Sequence, residues 1–280
     1  MDIIVNPTSG KDKGVKNLHQ IEVFLKERNI SYTIHQTKYA GHAEQIAKEL
    51  SYNNKKTIVV MGGDGTFHEV LNGIDFNKSR LGFIPSGRGN DFAKSANLPL
   101  NIEESLGKII KGIPKDFDYI QVDNRKCLNV AGTGLDVSVL KHTANKQNKI
   151  TYTTSLLQCL LKYKPYNVQV ELEGETKEYC CVMAAVCNGT QFGGGIKLCP
   201  PAKIDDGFMD FLIIEQPKIP ALFIMPSFVK GKHMNYKIVR HVLCEKIKIN
   251  TLEPIQLDGE IYTNLKFEAN IVKAGVKTFA

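Results

Sequence analysis

The stretch VVMGGDGTFHEVLNGI, Val59–Ile74, decides how this chain is read. An apolar, β-branched run ends in Gly62-Gly63-Asp64-Gly65-Thr66, and an amphipathic segment follows at once. A strand that turns directly into a helix brings backbone N–H groups and the positive end of the helix dipole to one point. Glycines in such a turn permit positive φ and let a ligand approach the backbone without side-chain interference. Gly62, Gly63 and Gly65 are therefore expected to line a cradle for phosphate oxygens, with Asp64 inside it and Thr66 opening a helix at about 66–74. A merely tight turn explains one glycine well, and three with Asp and Thr poorly.

Outward from this turn, the first 120 residues alternate short strand-like runs with helical patterns. DIIVNP precedes the amphipathic VKNLHQIEVFLKERN, whose Val15, Leu18, Ile21, Val23, Phe24 and Leu25 are weighted to one face. SYTIHQT, the helical HAEQIAKEL, TIVVMGG, the strand RLGFIPS and helices near Asn90 and 102–112 continue the rhythm. That alternation is the signature of an α/β domain with a mostly parallel sheet. From Asp118 the pattern changes to strand-like runs punctuated by Gly, Asn, Asp and Pro, with helical interruptions at about 149–163 and 220–233, which reads as a β-sandwich. The expectation is an α/β domain over residues 1–119 and a β-rich domain over 120–280. The last residues of the chain are a candidate to rejoin the first domain.

Ligands of doubly wound sheets sit beyond the carboxyl ends of the strands. Three junctions there are polar and glycine-rich: NPTSGKDKG, GGDGT and PSGRGND. No GxxxxGK[ST] occurs, so a phosphate site here is built without a loop lysine, and GTGLDV at 132–137 lacks the third glycine of a dinucleotide fingerprint. NPTSGKDKG, VVMGGDGTFHEVLNGI, GFIPSGRGNDFAKS, NVAGTGLDVSV, GGGIKLCPPAKIDDGFMD and QLDGE, in this order and rough spacing, resemble the diacylglycerol kinase catalytic family, specifically its soluble bacterial lipid kinases. The resemblance touches nearly the whole chain. GGDGT is shared with NAD kinases and phosphofructokinases; the NDFA segment and the late DGE narrow it.

The resemblance implies an ATP-dependent lipid kinase, with residues 1–119 as its nucleotide-binding domain, 120–280 as its lipid-substrate domain and the active site in the cleft between them. Asn6, Pro7, Thr8, Ser9, Gly10 and Thr37 are then expected to contact ATP, with Gly62–Glu69 lining the phosphate site and Arg88 and Asn90 in the third loop. Glu69 is placed one helical turn from Thr66, within reach of a ribose hydroxyl or an adenine-side group, or else simply solvated. Asp64 and Asp91 would organise Mg²⁺ and water around the triphosphate, since magnesium takes oxygen ligands and keeps several waters. Asp91 also stands at a helix start, where Asp caps free N–H groups, and the two roles are compatible. A second, structural metal is implied at Asp206 with main-chain oxygens around Lys203 and Phe208, although DDG before a strand is also a common turn. Phosphoryl transfer to an alcohol needs a carboxylate to accept the hydroxyl proton. Asp258 and Glu260 of QLDGE are the candidates, sharing a face if extended, with Gly259 allowing a turn instead. Where the family usually has Thr or Ser, this chain has Arg88, either a clamp for the triphosphate or an occupant of the nucleotide site paired with Asp64 or Asp91.

Composition sets bounds around this reading. The 280 residues are 42% hydrophobic and 23% charged, and no apolar run approaches the roughly 20 residues that span a bilayer. The N-terminus lacks a signal-peptide pattern, so a cytoplasmic location is expected. Seven cysteines without a CxxC spacing read as buried free thiols of a reducing compartment. The net charge of +7 and the basic Lys218, Lys230, Lys232, Lys237, Arg240, Lys246 and Lys248, set against Glu245 in a window holding ALFIMPSFV, suit transient docking at the inner membrane surface, where the lipid is met. A solvated face over a core segment is the plainer reading of that window. Nucleic acid is disfavoured by the absence of Trp and of any recognition motif. A homodimer is compatible with the family. The rivals are an NAD kinase and a nucleotide-binding regulatory protein weakened in catalysis by Arg88.

Overall fold

The computed structural model of the protein describes residues 1–10, 13–144, 155, 158–159, 163–216 and 225–279. The chain divides into two compact units, Met1–Asp118 with Lys273–Ala280, and Tyr119–Val272. Among the described residues no helix is long and apolar enough to cross a membrane.

Unit 1 runs β1 (Asp2–Val5), α1 (Lys13–Glu27), β2 (Thr33–Gln36), α2 (His42–Tyr52), β3 (Thr57–Gly62), α3 (Asp64–Gly73), β4 (Arg80–Pro85), α4 (Asp91–Ser95) and α5 (Ile102–Lys111). The strands pair in parallel in the order β2-β1-β3-β4. Each central strand is a short, largely apolar run buried on both faces, as parallel sheets covered by helices require. On one face Ile3, Val5, Val59, Met61 and Ile84 pack with Ile21 and Leu25 of α1 and Leu106 and Ile109 of α5. Val23 of α1 is exposed instead, because it falls off the stripe that Ile21 and Leu25 define. Elsewhere in the unit Phe67, Phe83, Phe92 and Phe117 stack edge and face, with Phe67–Phe83 centroids 4.1 Å apart and Phe92–Phe117 5.6 Å apart. Asn101 starts α5 by accepting the N–H groups of Glu103 and Glu104, and left-handed Gly112 ends it.

The strand order reverses at β1, which has β2 on one side and β3 on the other. Their outgoing connections diverge there and leave a crevice at the carboxyl ends, the place where such sheets hold ligands.

Unit 2 continues with the second part of β5 (Pro114–Val122), then β6 (Arg125–Cys127), β7 (Val130–Gly134), α6 (Leu135–Ala144), β8 (Tyr166–Leu172), β9 (Glu175–Cys187), β10 (Met209–Glu215), α7 (Met225–Val229), β11 (Val239–Cys244), β12 (Lys246–Asn250), β13 (Ile255–Leu257), β14 (Glu260–Tyr262) and the first part of β15 (Glu268–Phe279). Long β9 serves two neighbourhoods: Glu175–Cys181 pairs with β8, while Met183–Cys187 runs antiparallel between β7 and β10. Period-two alternation sorts β10 between two cores. Met209, Phe211 and Ile213 join Ala184, Val186, Ile247, Ile249 and Leu257 inside the sandwich, and Leu212 and Ile214 turn to the opposite face.

Helix α6 departs from the expected β-rich reading, and it starts where GTG releases the chain from β7. The expected helix at about 149–163 falls mostly outside the described residues. Of the one at 220–233, residues 220–224 lie outside them, and the remainder holds α7 and the start of a 3₁₀ turn at His233–Asn235. Five cysteines are buried, whereas Cys159 is half-buried and Cys180 exposed, because outward positions of the first half of β9 face solvent.

Phe92 is 2% exposed and touches three other rings. Phe92→Ala is expected to lower the unfolding free energy by about 3–5 kcal/mol in urea denaturation, with the cooperativity of unfolding retained.

Candidate active site

The loops that follow β1, β3 and β4 are fastened to one another by short bonds. Asn6 donates from Nδ2 to Thr66 Oγ1 at 3.0 Å, while its Oδ1 accepts the Thr8 N–H and hydroxyl at 3.1 and 2.8 Å. The hydroxyls of Ser9 and Ser86 meet at 2.7 Å. Ser86 N–H donates to Gly62 O at 2.8 Å, and the Thr37 N–H closes the end of β2 on Val5 O. Pro7 and Gly10 complete the first loop, Gly10 with φ of 72°.

None of Gly62, Gly63 and Gly65 has positive φ, which corrects the conformational part of the expectation. Gly63 is extended at φ −91°, ψ −174°, and Gly65 already belongs to α3. The bareness of the turn is required by proximity. A Cβ on Gly62 would stand 2.5 Å from Thr66 Cβ, one on Gly63 would stand 3.1 Å from Gly87 Cα, and one on Gly87 only 2.5 Å from Gly63 Cα. The GGDGT and PSGRGND loops therefore touch backbone to backbone. The first-turn N–H groups of α3 have no partners inside the helix and suit an anion.

Asp64 and Asp91 do come together. The Asp64 carboxylate accepts the Asp91 N–H at 2.8 Å and also bonds the backbone N–H groups of Phe92 and Asn90, so it caps α4 from across the loops. Asn90 holds a left-handed φ of 50° and spans Gly87 with both side-chain atoms, at 3.0 Å to N and 3.1 Å to O. The cap that sequence reading assigned to the start of α4 is thus supplied by Asp64, 27 residues away. Burial first, and the like charge of Asp91 second, raise the Asp64 carboxyl to about 6 against the opposing backbone bonds. A divalent cation held by these two acids would relieve that repulsion, so the residues fit magnesium. Glu69 accepts the Ala43 N–H at 3.0 Å through one oxygen and so caps α2, whose own Gly41 offers no side chain. Arg88 is exposed and, among the described residues, forms no ion pair with Asp64 or Asp91.

In unit 2 the QLDGE segment is a two-residue hairpin. Asp258 and Gly259 have φ of 50° and 97°, the positive pair of a type I′ turn, and Leu257 pairs with Glu260 across it. The Asp258 carboxylate accepts the N–H groups of Leu128, Asn129 and Val130 at 2.7, 2.8 and 3.3 Å and the Cys127 thiol at 3.2 Å. Four donors occupy about as many lone-pair directions as a carboxylate has. Burial first, then the Asp258 charge, keeps the Cys127 thiol protonated. Asp258 and Glu260 do not share one face, because the turn separates them, and Glu260 is exposed.

Two residues that sequence reading passed over support this hairpin. Gln256 accepts the Gly259 N–H through Oε1 at 2.9 Å and donates from Nε2 to Asp136 Oδ2 at 3.0 Å. Asp136 is fully enclosed at the start of α6, and burial raises its carboxyl to about 6. A Cβ on Gly132 would collide with its Oδ2 at 2.1 Å, so the bare backbone there makes room for that side chain. Around the candidate second metal position, Asp206 Oδ1 accepts the Phe208 N–H at 3.1 Å and closes an Asx turn before β10, with Lys203 and Phe208 exposed.

Unit 1 thus carries a parallel sheet with glycine-rich loops at its switch point, and unit 2, joined to it in sequence, is β-sandwich-like. The model of the diacylglycerol kinase catalytic domain matches residues 1–122, and that of the YegS C-terminal NAD kinase beta sandwich-like domain matches 129–279. The diacylglycerol kinase of Bacillus subtilis (strain 168) is 29% identical over 92% of this chain and 88% of its own. That of Staphylococcus aureus (strain bovine RF122 / ET3-1) is 30% identical over 92% and 85%. A crystal structure of a diacylglycerol kinase from Bacillus anthracis str. Sterne superposes with a TM-score of 0.79 at 27% identity, covering 99% of this chain and 95% of that one. The chain belongs to the diacylglycerol kinase catalytic family and is a lipid kinase, a phosphotransferase with an alcohol acceptor.

The Asp64 carboxyl is expected to titrate with a midpoint near 6 in carbonyl-detected NMR, and Asp91→Asn is expected to move that midpoint down by removing the like charge. The native state holds a proton on Asp64 that the unfolded chain, at the ordinary value of 3.8, has released. The contribution of Asp64 to stability therefore falls as pH rises from about 4 to 6.

Proposed function

We propose that the chain transfers the γ-phosphoryl group of ATP to the free hydroxyl of diacylglycerol, giving phosphatidic acid. The observation that carries this reading is the fastening of the three glycine-rich loops at the sheet's switch point, with two acids inside it. In this reading the triphosphate rests on the N-terminal N–H groups of α3 and on the loop Asn6–Gly10, with Thr66 and Ser9 held in place by Asn6 and Ser86. Asp64 and Asp91 would hold Mg²⁺, which when bound neutralises charge on the phosphate oxygens. Thr37 and Glu69 lie on the nucleoside side; Glu69 keeps one oxygen for a ribose hydroxyl after capping α2. Arg88, exposed at the loop tip, donates to phosphate oxygens, which favours the clamp over a blocked nucleotide site.

The acceptor's proton goes to the DGE hairpin. Glu260 is the group that meets the hydroxyl, and Asp258, bound by four donors, sets the turn that carries it. Asp136 and Gln256 brace that turn from below and are positioning residues. Lys203, Asp206 and Phe208 form a secondary cation site of the same reading, with one Asp206 oxygen and main-chain carbonyls as its ligands.

The lipid lies in a bilayer, so the enzyme works at a membrane surface. Of the basic residues between Pro217 and Ile249, Arg240 pairs with Glu215 and Lys248 with Glu171, which leaves, among the described residues, Lys230, Lys232, Lys237 and Lys246 as the cations for anionic headgroups.

Transfer of labelled γ-phosphate from ATP in mixed micelles tests the reading. The wild type is expected to label diacylglycerol. Glu260→Gln should lower kcat by about 10²-fold or more with an unchanged Tm, whereas Asp258→Asn should lower both. Arg88→Thr should raise the KM for ATP by about tenfold with a smaller effect on kcat. A folded wild type that leaves diacylglycerol unlabelled contradicts it, whether or not a glycolipid, a sphingoid base or phosphatidylglycerol is labelled instead.

A further inference from the structure

Three adjacent strands of unit 2 bring unlike metal donors to one face, far in sequence from one another. Cys187 of β9 lies directly opposite Asp210 of β10, and β11 pairs with β10 so that His241 stands diagonally across from Asp210. These positions share the face that carries Leu212, Ile214 and Ala185. The connection between β9 and β10 folds back over this face and buries Cys199 in it.

The side chains there form a chain of contacts. His241 Nε2 is 2.6 Å from Asp210 Oδ1. The Cys199 thiol hydrogen-bonds to the Asp210 carboxylate, and the Cys187 thiol to Cys199. The donor atoms of Cys199, Asp210 and His241 all lie within 4.8 Å of one another. Tetrahedral zinc, with bonds of about 2.0–2.3 Å, needs its ligand atoms roughly 3.4 Å apart, so a small contraction suffices.

We infer that Cys199, Asp210 and His241 form a binding site for a borderline transition-metal ion of the Zn²⁺ class. One thiolate, one carboxylate and one imidazole select against magnesium and calcium, which take oxygen donors alone. The Asp210 side chain is 3% exposed and that of His241 29%, so the ion enters from the His241 side and keeps a water there as its fourth ligand. Binding releases the Cys199 thiol proton to solvent, and the neutral His241 ring coordinates through Nε2 with its proton on Nδ1. Asp206 adds negative charge close to Asp210, which favours a cation further. The ion pins the 188–208 connection to the sheet. The site is built wholly within unit 2 and does not depend on the kinase reading.

Zinc titration of the reduced, full-length chain without nucleotide is expected to show one tightly bound ion per chain and a raised Tm. Cobalt in its place should give thiolate-to-metal charge-transfer absorption. Cys199→Ser should abolish that absorption, and His241→Ala, on an exposed edge strand, should weaken zinc at least about tenfold while circular dichroism stays native. Cys180→Ala removes an exposed thiol outside the site and should change nothing. If Cys199→Ser fails to fold, His241→Ala decides. The site is refuted by absence of stoichiometric zinc, by binding that survives both variants, or by binding lost with Cys180→Ala.

Discussion

The contact of Gly63 with Gly87 sets the geometry of everything at the carboxyl edge of the parallel sheet. Two loops that follow neighbouring strands can lie backbone against backbone only if neither carries a Cβ at the crossing point. Once they do, the Asp64 carboxylate reaches the start of α4 and caps it at 2.8 Å, and the Ser86 N–H reaches Gly62 O. Asn6 and Ser9 then tie the first loop to the same cluster through Thr66 and Ser86. The cluster is tied together by its own hydrogen bonds. Such preorganisation is what binding a polyanion quickly and tightly demands.

Rigidity of this kind is obtained against an electrostatic cost. Asp64 and Asp91 are driven together in a largely buried place, and Asp64 is raised to about 6 as a result. Asp136, buried under the DGE hairpin, is raised similarly by burial alone. The two cases differ in kind. Asp64 faces a like charge, which a cation removes, whereas Asp136 faces Gln256, which supplies a single donor and orients the turn above it.

Much of this was legible in the sequence, and the exceptions have physical causes. Alternating short β-branched runs and amphipathic segments point to the parallel sheet, because burial on both faces leaves only that pattern. GGDGT and PSGRGND mark the site, but their glycines suggest positive φ, when close approach is the reason. Proximity between Gly63 and Gly87 is a tertiary fact that no local rule contains. Glu69 and Asp64 read as ligand-facing, while each also caps a helix other than its own. QLDGE reads with its turn as one of two options; the I′ geometry follows from DG, but the four donors on Asp258 come from residues about 130 positions earlier. Helix α6 escapes a sequence reading because LDVSVLKHTA carries β-branched residues at a strand-like density. The Cys199, Asp210 and His241 cluster had no sequence signature at all, since strand register assembles it.

If the three fastened loops of unit 1 are the nucleotide's seat, hydrogen–deuterium exchange of the intact chain changes there when MgATP is added. Protection of the backbone amides at residues 6–10, 62–66 and 86–91 is the predicted result. Unchanged exchange at all three loops under saturating nucleotide, or protection confined to unit 2, would contradict it.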